Sequence, residues 1–474
     1  MADEGSERAL RGRRAVVMGL GTRQGGVGVA RYLVRAGADV TVTDLRSAAD
    51  LGSALEALAG LPIHYVLGEH RAEDFDRADV VVRNPGVPAD SPWLTRARAA
   101  GARVEMEMSL FFRACPAPIV GITGTKGKTT TATLCAGILG VGRPDTVLAG
   151  NMGASALDAL PRIDAATPVV LELSSWQLEG MAEHGQSPHV AVITNVSEDH
   201  LNRYPSFAAY VEAKRHIGRF QRPGDWFVVN RDDPLVWSSR DVGQGTAVPF
   251  GRELGRAIGA SLEHGQIIWR WGDRETFLCD TRDLPVHGEH AAFDAAAAAA
   301  AAILAGATPD EARRGLLASE PVRDRQERVA TLGGVLYVND TTATAPAAVM
   351  AALDAFRDRP LVLIAGGAGK GADLTQVLAR VAAQAKAVVL LDGSATQEFR
   401  RLLDEGGADI VLGPFGLMDE AVRAATVLAA PGDVVLLSPG VASFGLFRDE
   451  FERGEAFRRA VERLTVTNRE EVRR

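Results

Sequence analysis

Gly121-Ile-Thr-Gly124-Thr-Lys126-Gly127-Lys128-Thr129-Thr130 follows a β-type run, Ile119–Ile122, and opens a helix-forming segment. Glycines there let backbone N–H groups approach phosphate oxygens, and a helix N-terminus adds the positive end of its dipole. Lys128 supplies a mobile cation, and Thr129 is placed to offer its hydroxyl to Mg²⁺. The strict triphosphate pattern G-x-x-x-x-G-K-[ST] would put a glycine at Ile122, so this is the variant G-T-x-G-K-T. The bland alternative is a Gly-rich turn with accidental lysines. A strand before, a helix after and two lysines inside argue for a phosphate loop.

Lysine usage sharpens that reading. The chain has 52 Lys and Arg residues, of which five are lysine: Lys126, Lys128, Lys214, Lys370 and Lys386. A chain that uses arginine for nearly all its positive charge keeps lysine where a compact or modifiable amine is needed. Lys386 lies in no motif and reads as a leftover surface residue. Against the 52 cations stand 60 Asp and Glu, a net charge of −8 that argues against nucleic-acid or anionic-membrane partners. Apolar residues at 46% and charged residues at 24% describe a soluble globular chain rather than a disordered one. The apolar stretch from Ala295 to Ala307 is too short to span a bilayer. The charged N-terminus, Met1-Ala-Asp-Glu-Gly-Ser-Glu, has no apolar signal core, so a cytoplasmic protein is expected. Cys115, Cys135 and Cys279 give neither a disulfide framework nor a zinc spacing, and each reads as a small buried residue.

At 474 residues the chain has room for about three domains. Strands are expected at Ala15–Met18, Asp39–Thr43 and Ala78–Arg83, with a helix at Val27–Ala36. Alternating strands and helices imply βαβ units and a parallel sheet. Cys115-Pro-Ala-Pro118 breaks the pattern, placing the first boundary near residue 114. Further strands are expected at Val169–Leu173, Val190–Thr194 and Trp226–Asn230, with helices at Ser206–Phe220 and Glu289–Ala305. A third unit starts near Glu320, with strands at Val335–Val338, Leu361–Ala365, Ala387–Leu391 and Val434–Ser438. The expected fold is therefore α/β in three domains, residues 1–113, 114–319 and 320–474. The outer two are Rossmann-like, and the central one is P-loop-ATPase-like with a mostly parallel sheet.

Other constellations lie just past strands, where parallel sheets place their ligands. Glu172 and His200 could converge on the phosphate loop, although a carboxylate with an imidazole suits Mg²⁺ less well than oxygen alone. In the first unit, Gly19-Leu-Gly21-Thr-Arg-Gln-Gly25-Gly26-Val-Gly28 precedes Asp44-Leu-Arg46. Alone this suggests a dinucleotide site with an acidic ribose ligand, but its glycine spacing is longer than the redox fingerprint.

Gly124-Thr-Lys-Gly-Lys-Thr-Thr130 resembles the ATP loop of the Mur ligase family, which also includes folylpolyglutamate synthase. That family joins a carboxylate to an amine while splitting ATP to ADP and phosphate. The resemblance implies that Gly124, Thr125, Lys126, Gly127, Lys128, Thr129 and Thr130 bind ATP. Leu171-Glu172-Leu-Ser174-Ser175-Trp-Gln177-Leu-Glu179 and Asn195-Val-Ser-Glu-Asp199-His200 resemble the E-L-S-S-x-Q-L-E and N-x-x-E-D-H motifs of its glutamate-adding members. There the matching Glu and His bind magnesium. Tyr210-Val-Glu-Ala-Lys214 resembles Y-x-x-A-K, whose lysine is carbamylated and bridges magnesium. Two Mg²⁺ sites built from Thr129, Glu172, His200 and Lys214 are implied, with Lys128, Lys214 and His200 as the catalytic residues.

The same resemblance assigns Gly21, Asp44, Arg46 and Gly86 to a uridine nucleotide, and Asn151 and Ser174 to substrate. Asn339-Asp340-Thr-Thr342-Ala-Thr344, Gly366-Gly-Ala-Gly-Lys370 and Ser438-Pro-Gly-Val-Ala-Ser443-Phe444 resemble the loops of the glutamate pocket. Thr344, Lys370 and Ser443 then bind glutamate carboxylates, while Asp340 and Arg325 contact ATP. Four positions depart from the family. Thr342 replaces a lysine, His290-Ala-Ala-Phe-Asp294 lacks both asparagines of H-N-x-x-N, and Asp324 replaces the histidine of an H-R pair. The implied activity is ATP-dependent addition of D-glutamate to UDP-N-acetylmuramoyl-L-alanine by a monomer acting on small molecules. The rivals are addition of L-glutamate, a folylpolyglutamate synthase-like reaction, a Rossmann oxidoreductase and a non-catalytic nucleotide sensor. The last two leave Gly124–Thr130 or the three substrate loops without a role.

Overall fold

The structure, a computed structural model, describes residues 7–21, 24–152, 154–199, 203–284, 288–319, 322–369 and 371–471. The described residues form two compact units. One holds the chain up to Leu284 together with Ala291–Ser319, and the other holds residues 288–290 and everything from 322 onward.

The first unit contains two sheets. Its N-terminal sheet comprises β1 (Arg14–Met18), β2 (Asp39–Asp44), β3 (Ile63–Leu67), β4 (Val80–Arg83) and β5 (Arg103–Glu105). The order is β3-β2-β1-β4-β5 and every pair is parallel. Burial on both faces explains the nearly unbroken apolar runs of β1 and β4. The chain runs from β1 outward to β3 and returns beside β1 as β4. That reversal leaves a crevice past the ends of β1 and β4, where such sheets bind ligands.

The second sheet comprises β6 (Ile119–Thr123), β7 (Val147–Gly150), β8 (Val169–Glu172), β9 (Val190–Ile193), β10 (Trp226–Asn230), β11 (Thr246–Arg252), β12 (Gly259–Glu263), β13 (Gln266–Trp271) and β14 (Arg274–Asp280). Its order is β14-β13-β12-β11-β10-β9-β6-β8-β7. Pairing is parallel from β7 to β12 and antiparallel through β13 and β14. The antiparallel extension was not among the expected strands. Its turn carries the signal nonetheless: His264 and Gly265 both have positive φ between paired Glu263 and Gln266, the backbone of a type I′ hairpin.

The alanine-rich helix, Glu289–Leu304, forms as expected, and Ala295–Ala302 are fully buried among Ile122, Val170, Val192 and Ile138. A further helix, Pro309–Ala318, follows it. Thr308 and Glu311 cap that helix reciprocally, a signal passed over in the sequence. Cys135 and Cys279 are buried as expected, but Cys115 is only half-buried, because it lies at the end of a helix beside the proline break.

The second unit has one sheet, of β15 (Glu327–Leu332), β16 (Val335–Asn339), β17 (Leu361–Gly366), β18 (Ala385–Leu391), β19 (Val411–Phe415) and β20 (Val434–Leu437). Its order is β15-β16-β20-β17-β18-β19, parallel except for the antiparallel β15–β16 pair. The last strand in sequence thus sits between β16 and β17, bringing the loops after all three to one edge. Lys386 lies at the surface as expected, and there pairs with the buried Asp433 at 2.9 Å. No helix among the described residues is long and apolar enough to cross a membrane.

Candidate active site

The phosphate loop leaves β6 at Gly124, and its helix, Lys128–Gly142, starts after Gly127. Gly127 has φ +81°, and a Cβ there would lie 2.1 Å from the Asp294 carboxylate. A Cβ at Gly124 would lie 1.9 Å from Thr194 Oγ1. Close approach, as well as phosphate access, therefore requires both glycines. The loop after β9 holds this turn in shape. Thr125 N–H donates to the Asn195 carbonyl and Lys126 N–H to its side-chain oxygen, both at 2.9 Å. Asn195 was quoted within a motif but given no role. Its contribution in the structure is to brace the phosphate loop, which the sequence reading missed.

Lys128 Nζ folds onto the loop, donating to the carbonyls of Gly124 at 3.1 Å and Thr125 at 3.0 Å. Lys214 reaches the same turn from the Phe207–Arg219 helix, donating to the Gly124 carbonyl at 2.7 Å. Its Nζ lies 4.6 Å from the centre of the Tyr210 ring. Lys214 is only 2% exposed. Burial, then repulsion from Lys128, holds its pKa well below the ordinary lysine value, although Asp199 and Glu172 pull the other way.

Glu172 ends β8 and is buried. One carboxylate oxygen accepts from Thr129 Oγ1 at 2.7 Å and the other from Asn151 Nδ2 at 2.9 Å. A hydroxyl and a carboxylate meeting beside a phosphate loop make an all-oxygen donor set, which suits Mg²⁺. No group of three or more His, Cys, Asp and Glu converges as a metal site among the described residues. His200 lies outside the described residues. Ser174 caps the Ser175–Ala182 helix, exchanging hydrogen bonds with Gln177.

In the N-terminal sheet, Asp44 gathers the expected nucleotide residues. It accepts from Gly21 N–H at 3.2 Å and twice from the Arg46 guanidinium, at 3.1 and 2.9 Å. Those bonds outweigh burial and hold the Asp44 carboxyl below its usual range. Gly86, past the end of β4, donates its N–H to Asn84 Oδ1, and Asn84 flanks Gly19. The later glycines serve packing instead. A Cβ at Gly28 would lie 2.0 Å from Ser155 Oγ, and one at Gly26 would lie 2.0 Å from the Leu20 carbonyl. Thr22 and Arg23 lie outside the described residues.

In the second unit, the three expected loops meet. Gly440 N–H donates to the Ala343 carbonyl at 2.8 Å, and Ala368 and Ala442 exchange backbone hydrogen bonds. Thr344 and Ser443 lie on these joined loops, and Lys370 falls outside the described residues. Asp340 is buried, accepts from Ser438 Oγ at 2.9 Å and from Gln326 N–H at 3.2 Å, and interacts electrostatically with Arg325. Burial raises its pKa to about 7.

Residues 122–302 match the Mur ligase middle domain, residues 324–441 the Mur ligase glutamate ligase domain, and residues 13–105 the MurD-like N-terminal domain. The chain belongs to the Mur ligase family. It is 52% identical over 468 residues to a UDP-N-acetylmuramoylalanine–D-glutamate ligase of Roseiflexus, covering 96% of this chain and all of that protein. A ligase of the same name from Symbiobacterium thermophilum is 38% identical, with 95% and 98% covered. Among solved structures, the UDP-N-acetylmuramate–alanine ligase MurC of Thermotoga maritima shares the fold, with a TM-score of 0.60 and 21% identity over 96% of this chain and all of that one. MurF from Acinetobacter baumannii does so at a TM-score of 0.59 and 17% identity, with 94% and 92% covered. The α/β fold and three-part organisation of a Mur ligase are thus those expected from the phosphate loop outward.

Proposed function

We propose that this Mur ligase joins D-glutamate to UDP-N-acetylmuramoyl-L-alanine at the expense of ATP, in peptidoglycan synthesis. The single observation that carries the reading is the buried Lys214 amine on the Gly124 carbonyl, beside Lys128 and Glu172. A carboxylate is a poor electrophile. Its oxygen therefore attacks the γ-phosphorus of ATP, ADP leaves, and an acyl phosphate results. The glutamate amine then attacks the acyl carbon, expelling phosphate and losing a proton as the amide forms. Lys128 offsets the charge on the transferring phosphoryl group.

Carbamylation needs the neutral amine, the form that burial of Lys214 favours. Its nitrogen attacks the carbon of CO₂ and loses a proton, giving the carbamate anion. Thr129, Glu172, His200 and that carbamate would hold two Mg²⁺ ions, which neutralise charge on the phosphates when bound. Gly124–Thr130, Arg325 and Asp340 are assigned to ATP. Gly21, Asp44, Arg46 and Gly86 are assigned to the uridine nucleotide, with Asn151 and Ser174 also contacting substrate. Thr344, Lys370 and Ser443 are assigned to glutamate. The domains run 1–113, 114–319 and 320–474. The protein acts in the cytoplasm as a monomer.

The deciding measurement is product formation with each pure glutamate enantiomer, with and without the nucleotide precursor. Turnover with D-glutamate that depends on the precursor is expected. Selective use of L-glutamate would overturn the acceptor while leaving the ligase chemistry intact.

A further inference from the structure

Arg453 sits in the first turn of the Glu450–Glu471 helix and is fully buried. The placement is unfavourable twice over. A cation near a helix N-terminus opposes the macrodipole, and a buried guanidinium ordinarily takes a carboxylate partner. No carboxylate among the described residues lies within ion-pair distance of Arg453. Its donors go to loops instead. Nε donates to Thr341 Oγ1 at 3.0 Å and Nη2 to the Thr341 carbonyl at 2.9 Å. Nη1 and Nη2 reach the Val441 carbonyl at 3.3 and 3.4 Å. Gly367 completes the set, because a Cβ there would come within 3.5 Å of Nη1 and 2.4 Å of the Ala442 carbonyl. The next residue on the helix, Gly454, is equally tied to these loops. A Cβ on it would strike Asp324 Oδ1 at 2.2 Å and Thr341 Cγ2 at 2.7 Å. Local rules broken this way concentrate where a site needs them broken.

We propose that Arg453 is a positioning residue of the amino-acid site, its rigid fork fixing the separation of the Thr341–Thr344 and Ser438–Ser443 loops. The proposal rests on the reading that these loops hold glutamate. A flexible lysine has one ammonium in place of five donors in a plane and cannot span both carbonyls, so charge alone does not replace the fork. Burial lowers the Arg453 pKa to about 10, which leaves it cationic at neutral pH.

The test measures phosphate release by the full-length enzyme with glutamate, ATP and nucleotide precursor varied in turn. Arg453→Lys is expected to raise the glutamate KM by about tenfold, the scale of losing one charge-assisted hydrogen bond, while the other two KM values hold within about twofold. Should that variant not melt cooperatively, Thr341→Val removes the Nε acceptor, together with the Thr341 Oγ1 hydrogen bond to the Glu450 carbonyl on the same helix, and is expected to show the same split, at about threefold. An unchanged glutamate KM in whichever of the two variants folds, or a parallel rise in all three constants, overturns the proposal. Ser443→Ala separates the two readings. If it raises the glutamate KM while Arg453→Lys does not, the loops keep their ligand and Arg453 loses its role. If neither changes it, the loop assignment itself is wrong.

Discussion

Thr342 Oγ1 donates to the backbone carbonyl of Asp324 at 2.9 Å. Two of the four positions at which the chain departs from its family therefore touch each other. The Asp324 side chain is buried, accepting from Asn339 Nδ2 at 2.9 Å and Arg458 Nη1 at 2.8 Å. Its backbone, at φ +66°, is in the left-handed region that aspartate tolerates better than most residues. Another departure, Asp294, faces the phosphate loop at Gly127.

Asp324 and its neighbours give the first prediction. Asp324→His restores the family residue but removes the acceptor shared by Asn339 and Arg458. The variant is expected to lose about 1–3 kcal/mol of stability, since Arg458 is left with Glu327 and Glu455 alone. Urea unfolding of both proteins measures it, and an unchanged midpoint would show that the buried carboxylate contributes nothing.

Lys128→Ala removes the ammonium that lies on the Gly124 and Thr125 carbonyls. Because that charge acts on a transition state rather than on the fold, kcat is expected to fall by at least about a hundredfold with little change in melting temperature. Near-normal turnover by the folded variant would remove Lys128 from the phosphate chemistry.

For Lys214 the prediction concerns rescue. Lys214→Ala is expected to be almost inactive, with short-chain carboxylates in the buffer restoring part of the rate by standing in for the carbamate. Lys214→Arg keeps a cation but cannot take up CO₂ at neutral pH, so it stays inactive. A fully active arginine variant would return Lys214 to a packing role beside Tyr210.

Glu107 makes stability depend on pH. Its carboxylate accepts from Ser155 Oγ at 2.5 Å and from Ala156 N–H at 3.0 Å, joining the first helix after β5 to the segment after β7. Burial, with repulsion from Asp158, raises its pKa to about 7 despite those bonds. The folded state therefore holds this proton more tightly than the unfolded state does. Stability falls as pH rises from the ordinary glutamate value toward 7, and is level in this respect above it. The loss reaches up to about 3 kcal/mol from this group, with Asp340 acting in the same direction. Glu107→Gln is expected to gain on the wild type by about 1–3 kcal/mol between pH 5 and 7.5. Unfolding midpoints at the two pH values decide it, and parallel curves would refute the assignment.

Much of this protein was legible along the chain, because its chemistry is carried by short segments that follow strands. A glycine loop between a strand and a helix, a Glu ending β8 and a rare lysine on a predicted helix are local patterns. They gave the fold class and the three-part division, while the family resemblance of the loops implied most of the candidate residues. Other features depend on residues far apart in sequence. Asn195 becomes part of the phosphate loop only because β9 lies beside β6. Gly28 reads as a nucleotide glycine until Ser155 is found against it. Arg453 looks like one more helical arginine among many, and its burial against Thr341 and Val441 could not be read from its neighbours. Sequence periodicity reports which face of an element is apolar. Which polar group ends up opposite another, more than a hundred residues away, is set by strand order and packing, and only the tertiary structure decided it.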